Sequence, residues 1–156
     1  MKHFYYNGKE YNYVREALNP TGKYTGYGDC LIRTIMRVLN RLNKEDWYEI
    51  YDDLYKLGLT KCKVFNSPEI IFLYMEDKNF EYKILSRDHI KVLDFLDTHR
   101  KGTYMIGIGR HIFAYIDGVI YDASEYNEFR EKSNKYYFEI SLADEDILYY
   151  YKKGTD

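Results

Sequence analysis

The sequence predicts a single α+β domain, with helices first and an antiparallel β-sheet after them. Three observations carry this. The chain has 156 residues, the length of one ordinary domain. From about residue 30 to 99, apolar side chains recur at helical spacing. From about 104 to 142, short β-branched and aromatic runs are broken by a turn dipeptide and read as strands. Helices segregated from strands argue for α+β rather than a parallel α/β fold.

Each element follows from local chemistry. Residues 3–13 read as a hairpin, because Asn7-Gly8 is the dipeptide that tolerates the positive φ angles of a type I′ turn. This hairpin is expected as an N-terminal extension (1–18) of one domain covering 1–156. Residues 19–28, with a Pro and three Gly, read as a loop. Asp29 is expected to cap a helix from about Cys30 to Leu42, with Leu31, Ile35, Val38 and Leu39 on one face. Asn43 can cap a second helix bearing Trp47, Ile50 and Leu54, which Gly58 is expected to end. Ser67-Pro68-Glu69 starts a third: a capping hydroxyl, Pro at the first helical position, then an acid. A strand over 81–85 and a fourth helix from about Asp88 to His99 follow. Tyr104–Ile108, His111–Ile116 and Val119–Asp122 read as strands, the last two joined by the turn Asp117-Gly118. Residues 124–135 read as loop and 136–142 as strand. Residues 143–153 fit either a short helix or a strand.

Composition narrows the function classes. At 46% hydrophobic and 31% charged the chain is globular in character. Its 20 tyrosines fit an AT-rich genome, and half-buried Tyr packing is the other reading. The 23 basic and 25 acidic residues are interspersed, giving a net charge of −2 and no phosphate-binding stripe. No nucleic-acid partner is expected. No apolar run reaches membrane-spanning length, and no signal peptide is visible. Two cysteines are a poor disulfide framework. The expected setting is the reducing cytoplasm, or a host's cytoplasm if the gene is viral. Two Cys and four His without ligand spacing predict no zinc site, and no cofactor is expected. Gly107-Ile108-Gly109 lies between strands rather than opening a helix, so it is no phosphate loop. Tyr149-Tyr150-Tyr151 reads as packing or as a partner surface. The oligomeric state stays open.

The chemistry centres on Cys30. It opens a helix behind Gly28-Asp29, where unpaired backbone N–H groups and the helix dipole favour a thiolate. A small buried core residue is the competing explanation. Of the four histidines, His111 opens a strand just after Gly107 and Gly109. With a two-residue turn at Asp117-Gly118, Ile116 pairs with Val119, Tyr115 with Ile120, Ala114 with Tyr121, and Phe113 with Asp122. His111, Phe113 and Asp122 then share a face. Asp122 is the diagonal neighbour of His111, with backbones roughly 7–8 Å apart. That is the base–orienter relation a nucleophilic site needs. Singly, His111 fits a satisfied strand histidine and Asp122 a strand-end carboxylate; together with Cys30 they point to a catalytic set. Arg33, one turn beyond Cys30, reads as a structural ion-pair partner or a substrate contact. Cys62, between two lysines, reads as a bystander.

The order Cys, His, Asp, the segment Gly28–Arg33 and the later stretch Arg110–Asp122 resemble papain-like cysteine peptidases, in particular their small bacterial and phage members. The resemblance covers roughly residues 20–125. It implies a papain-like fold with N-terminal helices packed on an antiparallel sheet, and a triad of Cys30, His111 and Asp122. It also implies a cysteine-nucleophile hydrolase (peptidase, isopeptidase or amidase) acting on a protein or peptide through an acyl-enzyme. The family usually carries a Gln several residues before the Cys as oxyanion donor. Residues 19–29 contain none, which leaves Asn19, Tyr24 and Thr25 as side-chain candidates. The same constellation serves a transglutaminase-like acyltransferase. A non-catalytic binding module on this fold is the alternative from another class.

Overall fold

The computed structural model describes residues 2–6, 9–15, 29–109, 111–122, 131–132, 135–136 and 145–155. In chain order these form β1 (Lys2–Tyr6), β2 (Lys9–Arg15), α1 (Asp29–Val38), α2 (Lys44–Lys61), α3 (Pro68–Asp77), β3 (Phe80–Ile84), α4 (Val92–Thr98), β4 (Thr103–Ile108), β5 (His111–Ile116), β6 (Val119–Asp122), β7 (Glu131–Lys132), β8 (Lys135–Tyr136) and β9 (Ile147–Lys153). The fold is α+β. Seven strands make one sheet in the order β1-β2-β6-β5-β4-β9-β3, and β7 pairs with β8 separately. Among the described residues no helix is long and apolar enough to cross a membrane.

The sheet is mixed, not antiparallel throughout as expected: β2 runs parallel to β6, with Tyr13 opposite Ile120 and Arg15 opposite Asp122. The N-terminal hairpin, expected as an extension, is thus knitted into the sheet. Without β2, β6 would present an open row of N–H and C=O groups; pairing removes that edge. The hairpin's own register sets Tyr6 opposite Lys9, and Asn7 and Gly8 lie outside the described residues.

Strand alternation divides the interior into two cores. Ile112 and Ala114 of β5, Met105 of β4 and Tyr151 of β9 pack with Leu31 and Ile35 of α1, Ile50 and Leu54 of α2 and Ile70 of α3. Phe113 and Tyr115 of β5, Ile106 of β4, Ile120 of β6 and Tyr11 and Tyr13 of β2 pack with Val92, Phe95 and Leu96 of α4. Successive β5 residues therefore serve opposite faces, as period-two geometry requires.

Several boundaries differ from the sequence expectation. Helix α1 ends at Val38, because Asn40 turns left-handed (φ 54°) and the Arg41 N–H reaches back to the Met36 carbonyl at 2.9 Å. Asp29 is the first helical residue rather than the flanking cap. Helix α2 passes through Gly58 and stops at Cys62 (φ 55°), where the Lys63 N–H bonds the Gly58 carbonyl at 2.9 Å. Gly58 serves proximity instead: a Cβ there would meet the Lys63 carbonyl oxygen at 2.6 Å. Ser67 caps α3 as expected, its Oγ accepting from the Ile70 N–H at 3.4 Å. Helix α4 begins at Val92, not Asp88. The backbone of 85–92 is spent on the approach to β9: Leu85 N–H to Leu148 O at 2.8 Å, Val92 N–H to Glu145 O at 3.0 Å, and Ile147 N–H to Ile90 O at 2.9 Å. Tertiary pairing there overrides helical propensity. Residues 147–153 take the strand option, and the ladder of β7 with β8 falls partly in the stretch read as loop. The rest of the expected 136–142 strand lies outside the described residues.

Candidate active site

The β5–β6 hairpin positions two of the three candidate residues. Asp117 (φ 47°) and Gly118 (φ 83°) form the turn. Both central positions have positive φ, as a type I′ turn requires. The register is Ile116 with Val119, Tyr115 with Ile120 and Ala114 with Tyr121. Continuing it brings the imidazole of His111 to the carboxylate of Asp122, Nε2 to Oδ1 at 2.7 Å. The pair is secluded: the His111 side chain is 11% exposed and that of Asp122 0%. Strand β2 lies beside β6, with Arg15 opposite Asp122 in the register.

Cys30 is the second residue of α1 and is partly buried against the core beneath that helix. As one of the first four helical residues it has a backbone N–H without an intrahelical acceptor. Cys30 stands within hydrogen-bonding reach of His111. With Nε2 engaged by Asp122, Nδ1 is the ring nitrogen left for the thiol. The helix is fixed to the hairpin along one face at i, i+4 and i+7. Thr34, 3% exposed, donates through Oγ1 to the Ile112 carbonyl at 3.3 Å. The Arg37 guanidinium lies 4.5 Å over the Tyr121 ring. Cys30, Thr34 and Arg37 thus follow the rows i, i+3 and i+4 that share a helix face.

Electrostatics set the protonation of this cluster. Burial by itself lowers the His111 pKa. The hydrogen bond to Asp122, then that to Cys30, then the negative charges of both, overcome this and hold it up at about 10 against an ordinary 6.5. At neutral pH the ring is therefore an imidazolium, held against the Asp122 carboxylate.

The other candidates stand apart. His89 pairs on the surface with Asp146 at 3.2 Å, and His99 stacks on Phe95 with centroids 3.8 Å apart. Cys62 is exposed at the end of α2. Arg33 is half-buried on α1. Asn19, Tyr24 and Thr25 lie outside the described residues. Among the described residues no three His, Cys, Asp or Glu side chains gather as a metal site. Two neighbours escaped the sequence reading. Thr34 was legible in principle, being one turn from Cys30 on the same helix. Tyr149, which packs against the same core as Cys30, is brought there by strand order, for which the sequence carries no local signal.

Compared with known proteins, the chain matches no family model, no curated protein and no solved structure.

Proposed function

We propose that this protein is a cysteine-nucleophile hydrolase of papain-like design, which opens an amide bond of a protein or peptide through an acyl-enzyme on Cys30. The observation that carries the reading is the buried 2.7 Å contact of His111 Nε2 with Asp122 Oδ1, with the other edge of the ring turned to Cys30. A carboxylate on one side fixes the tautomer and orientation of the imidazole, and a thiol on the other exchanges its proton with it.

The proton bookkeeping follows from that order. Because His111 holds its proton at neutral pH, it acts first as an acid. The Cys30 sulfur attacks the carbonyl carbon, the C=O electron pair moves to oxygen, and collapse expels the amine, which takes the His111 proton. The neutral imidazole then removes a proton from water, whose oxygen attacks the acyl-enzyme. The carboxylic acid leaves, and Sγ is released as thiolate beside the restored imidazolium. Asp122 keeps its charge throughout and stabilises the imidazolium. In the reducing cytoplasm expected for this chain neither cysteine is drawn into a disulfide.

The test is iodoacetamide labelling from pH 5 to 9, resolved by residue, for the wild type, His111→Ala and Asp122→Asn. Cys62 is the internal control, an exposed thiol away from the site. Only a thiolate alkylates, so the ratio of the two labelling rates compares the ionised fractions of the two cysteines directly. The expected result is Cys30 labelling at least about tenfold faster than Cys62 at pH 6, with His111→Ala erasing the difference. Equal, slow labelling of both cysteines would overturn the enzyme reading in favour of a non-catalytic binding module.

A further inference from the structure

We propose, resting on the reading of Cys30 as an acyl-forming nucleophile, that Tyr149 is a further catalytic residue: its phenol hydroxyl donates to the oxyanion formed when Cys30 attacks a carbonyl. Strand β9 lies beside β4 with Tyr149 opposite Gly107, and on its other side Gly107 is opposite Ile112 of β5. The Tyr149 ring does not stand away from the sheet. It lies across Gly107, where an added Cβ would fall within 2.6 Å of Cζ and both Cε atoms. The carbon bearing the hydroxyl is thus over β4, and the hydroxyl continues toward β5. The next residue met in that direction is Ile112, whose carbonyl binds Thr34 of α1 and whose neighbour is His111. Cys30 and Tyr149 pack on the same core from this side.

Glycine at 107 is what permits the arrangement, since any side chain would displace the ring. Two further rings brace it: Tyr82, with centroids 5.7 Å away, and Tyr151, 5.9 Å away and nearly perpendicular. A donor held this firmly costs little reorganisation when charge develops. Burial pushes the Tyr149 phenol up to about 12, with the charges of Tyr82 and then of Cys30 adding to the effect. The group therefore keeps its proton at neutral pH and donates a hydrogen bond without transferring it. Together with the Cys30 backbone N–H, Tyr149 makes a two-donor site, in a chain that has no Gln in the segment before its Cys.

Two probes separate this role from the general reactivity of Cys30. Iodoacetamide is displaced at a saturated carbon: the S–C bond forms, iodide leaves, and no oxyanion arises. p-Nitrophenyl acetate is attacked at its carbonyl: the S–C bond forms, the oxyanion appears, and collapse releases p-nitrophenolate. Tyr149→Phe keeps the ring over Gly107 and removes only the hydroxyl. The expected result with the full chain is a fall of about ten- to hundredfold in the p-nitrophenolate burst rate, with Cys30 alkylation within twofold of wild type. An unchanged burst overturns the proposal. So does a parallel loss in both assays, which would make Tyr149 a prop for the thiol or the fold. If wild-type Cys30 reacts with neither probe faster than Cys62, the hydrolase reading itself fails, and that result is seen before any variant is made.

Discussion

Replacing Asp122 by Asn is the sharpest perturbation of the buried pair. It preserves shape and leaves a hydrogen-bonding side chain while deleting the charge. The experiment belongs in a Cys30→Ala background, so that thiol ionisation does not enter. The rise of His111 from 6.5 to about 10 is worth roughly 5 kcal/mol at about 1.4 kcal/mol per pH unit. Asp122 leads the two groups that raise it, through its hydrogen bond and its charge, so its stake is on the order of 2–3 kcal/mol. The sign follows from linkage. A group whose folded pKa lies above its unfolded value contributes stability that is complete below the unfolded pKa and is lost as pH rises through the folded one. The unfolding free energies of Cys30→Ala and Cys30→Ala/Asp122→Asn, from urea titrations, should therefore differ by about 2–3 kcal/mol near pH 6.5. Without Cys30 the folded pKa of His111 lies below the wild-type value of about 10, so the gap should narrow between pH 6.5 and 10, leaving about 1 kcal/mol for the neutral hydrogen bond. A gap constant from pH 6.5 to 10 would refute the ion pair and leave an ordinary polar contact.

Two other substitutions test how the site is held. Thr34→Val removes the hydroxyl that ties α1 to the Ile112 carbonyl. It should cost about 1 kcal/mol in urea melts and slow Cys30 alkylation severalfold, with Thr34→Ser restoring both; an undiminished labelling rate would mean that α1 is positioned by apolar packing alone. Gly58→Ala improves intrinsic helix propensity by about 1 kcal/mol, yet its Cβ would meet the Lys63 carbonyl oxygen at 2.6 Å. The clash should win, giving a net loss of roughly 1–3 kcal/mol, and a stabilised variant would show that the chain after α2 moves aside freely.

What the sequence made legible was whatever local chemistry decides. The Asp117-Gly118 dipeptide dictates its turn, the turn dictates the register, and the register delivers His111 to Asp122. Ser67-Pro68-Glu69 likewise marks the start of α3. Reading failed where distant partners decide. The parallel pairing of β2 with β6 has no signature in either strand, since neither the alternating Tyr11 and Tyr13 nor the short run Val119–Tyr121 specifies a partner. Residues 88–91 read as the start of the fourth helix but are claimed by the approach to β9. Gly58 looks like a helix stop until the returning chain around Lys63 is seen to need its missing side chain. Tyr149 sits in a run of three tyrosines that pattern alone cannot tell apart. Only the alternation of β9 sends Tyr149 and Tyr151 to the α1 face and Tyr150 to the other.

The strand order has a consequence for synthesis. Strand β9 fills the slot between β4 and β3, and among the described residues β3 has no other strand beside it. A growing chain therefore makes the helix of Cys30 early, while the strand that completes the layer beneath it arrives near the end of the described chain. Until then, among the described strands, β4 has an open flank and β3 has nothing to pair with. Such long-range closure is slow and comes as a late, cooperative event. The proposed nucleophile depends on this layer, so the nascent chain carries Cys30, His111 and Asp122 well before it holds them in the arrangement that the proposed chemistry requires.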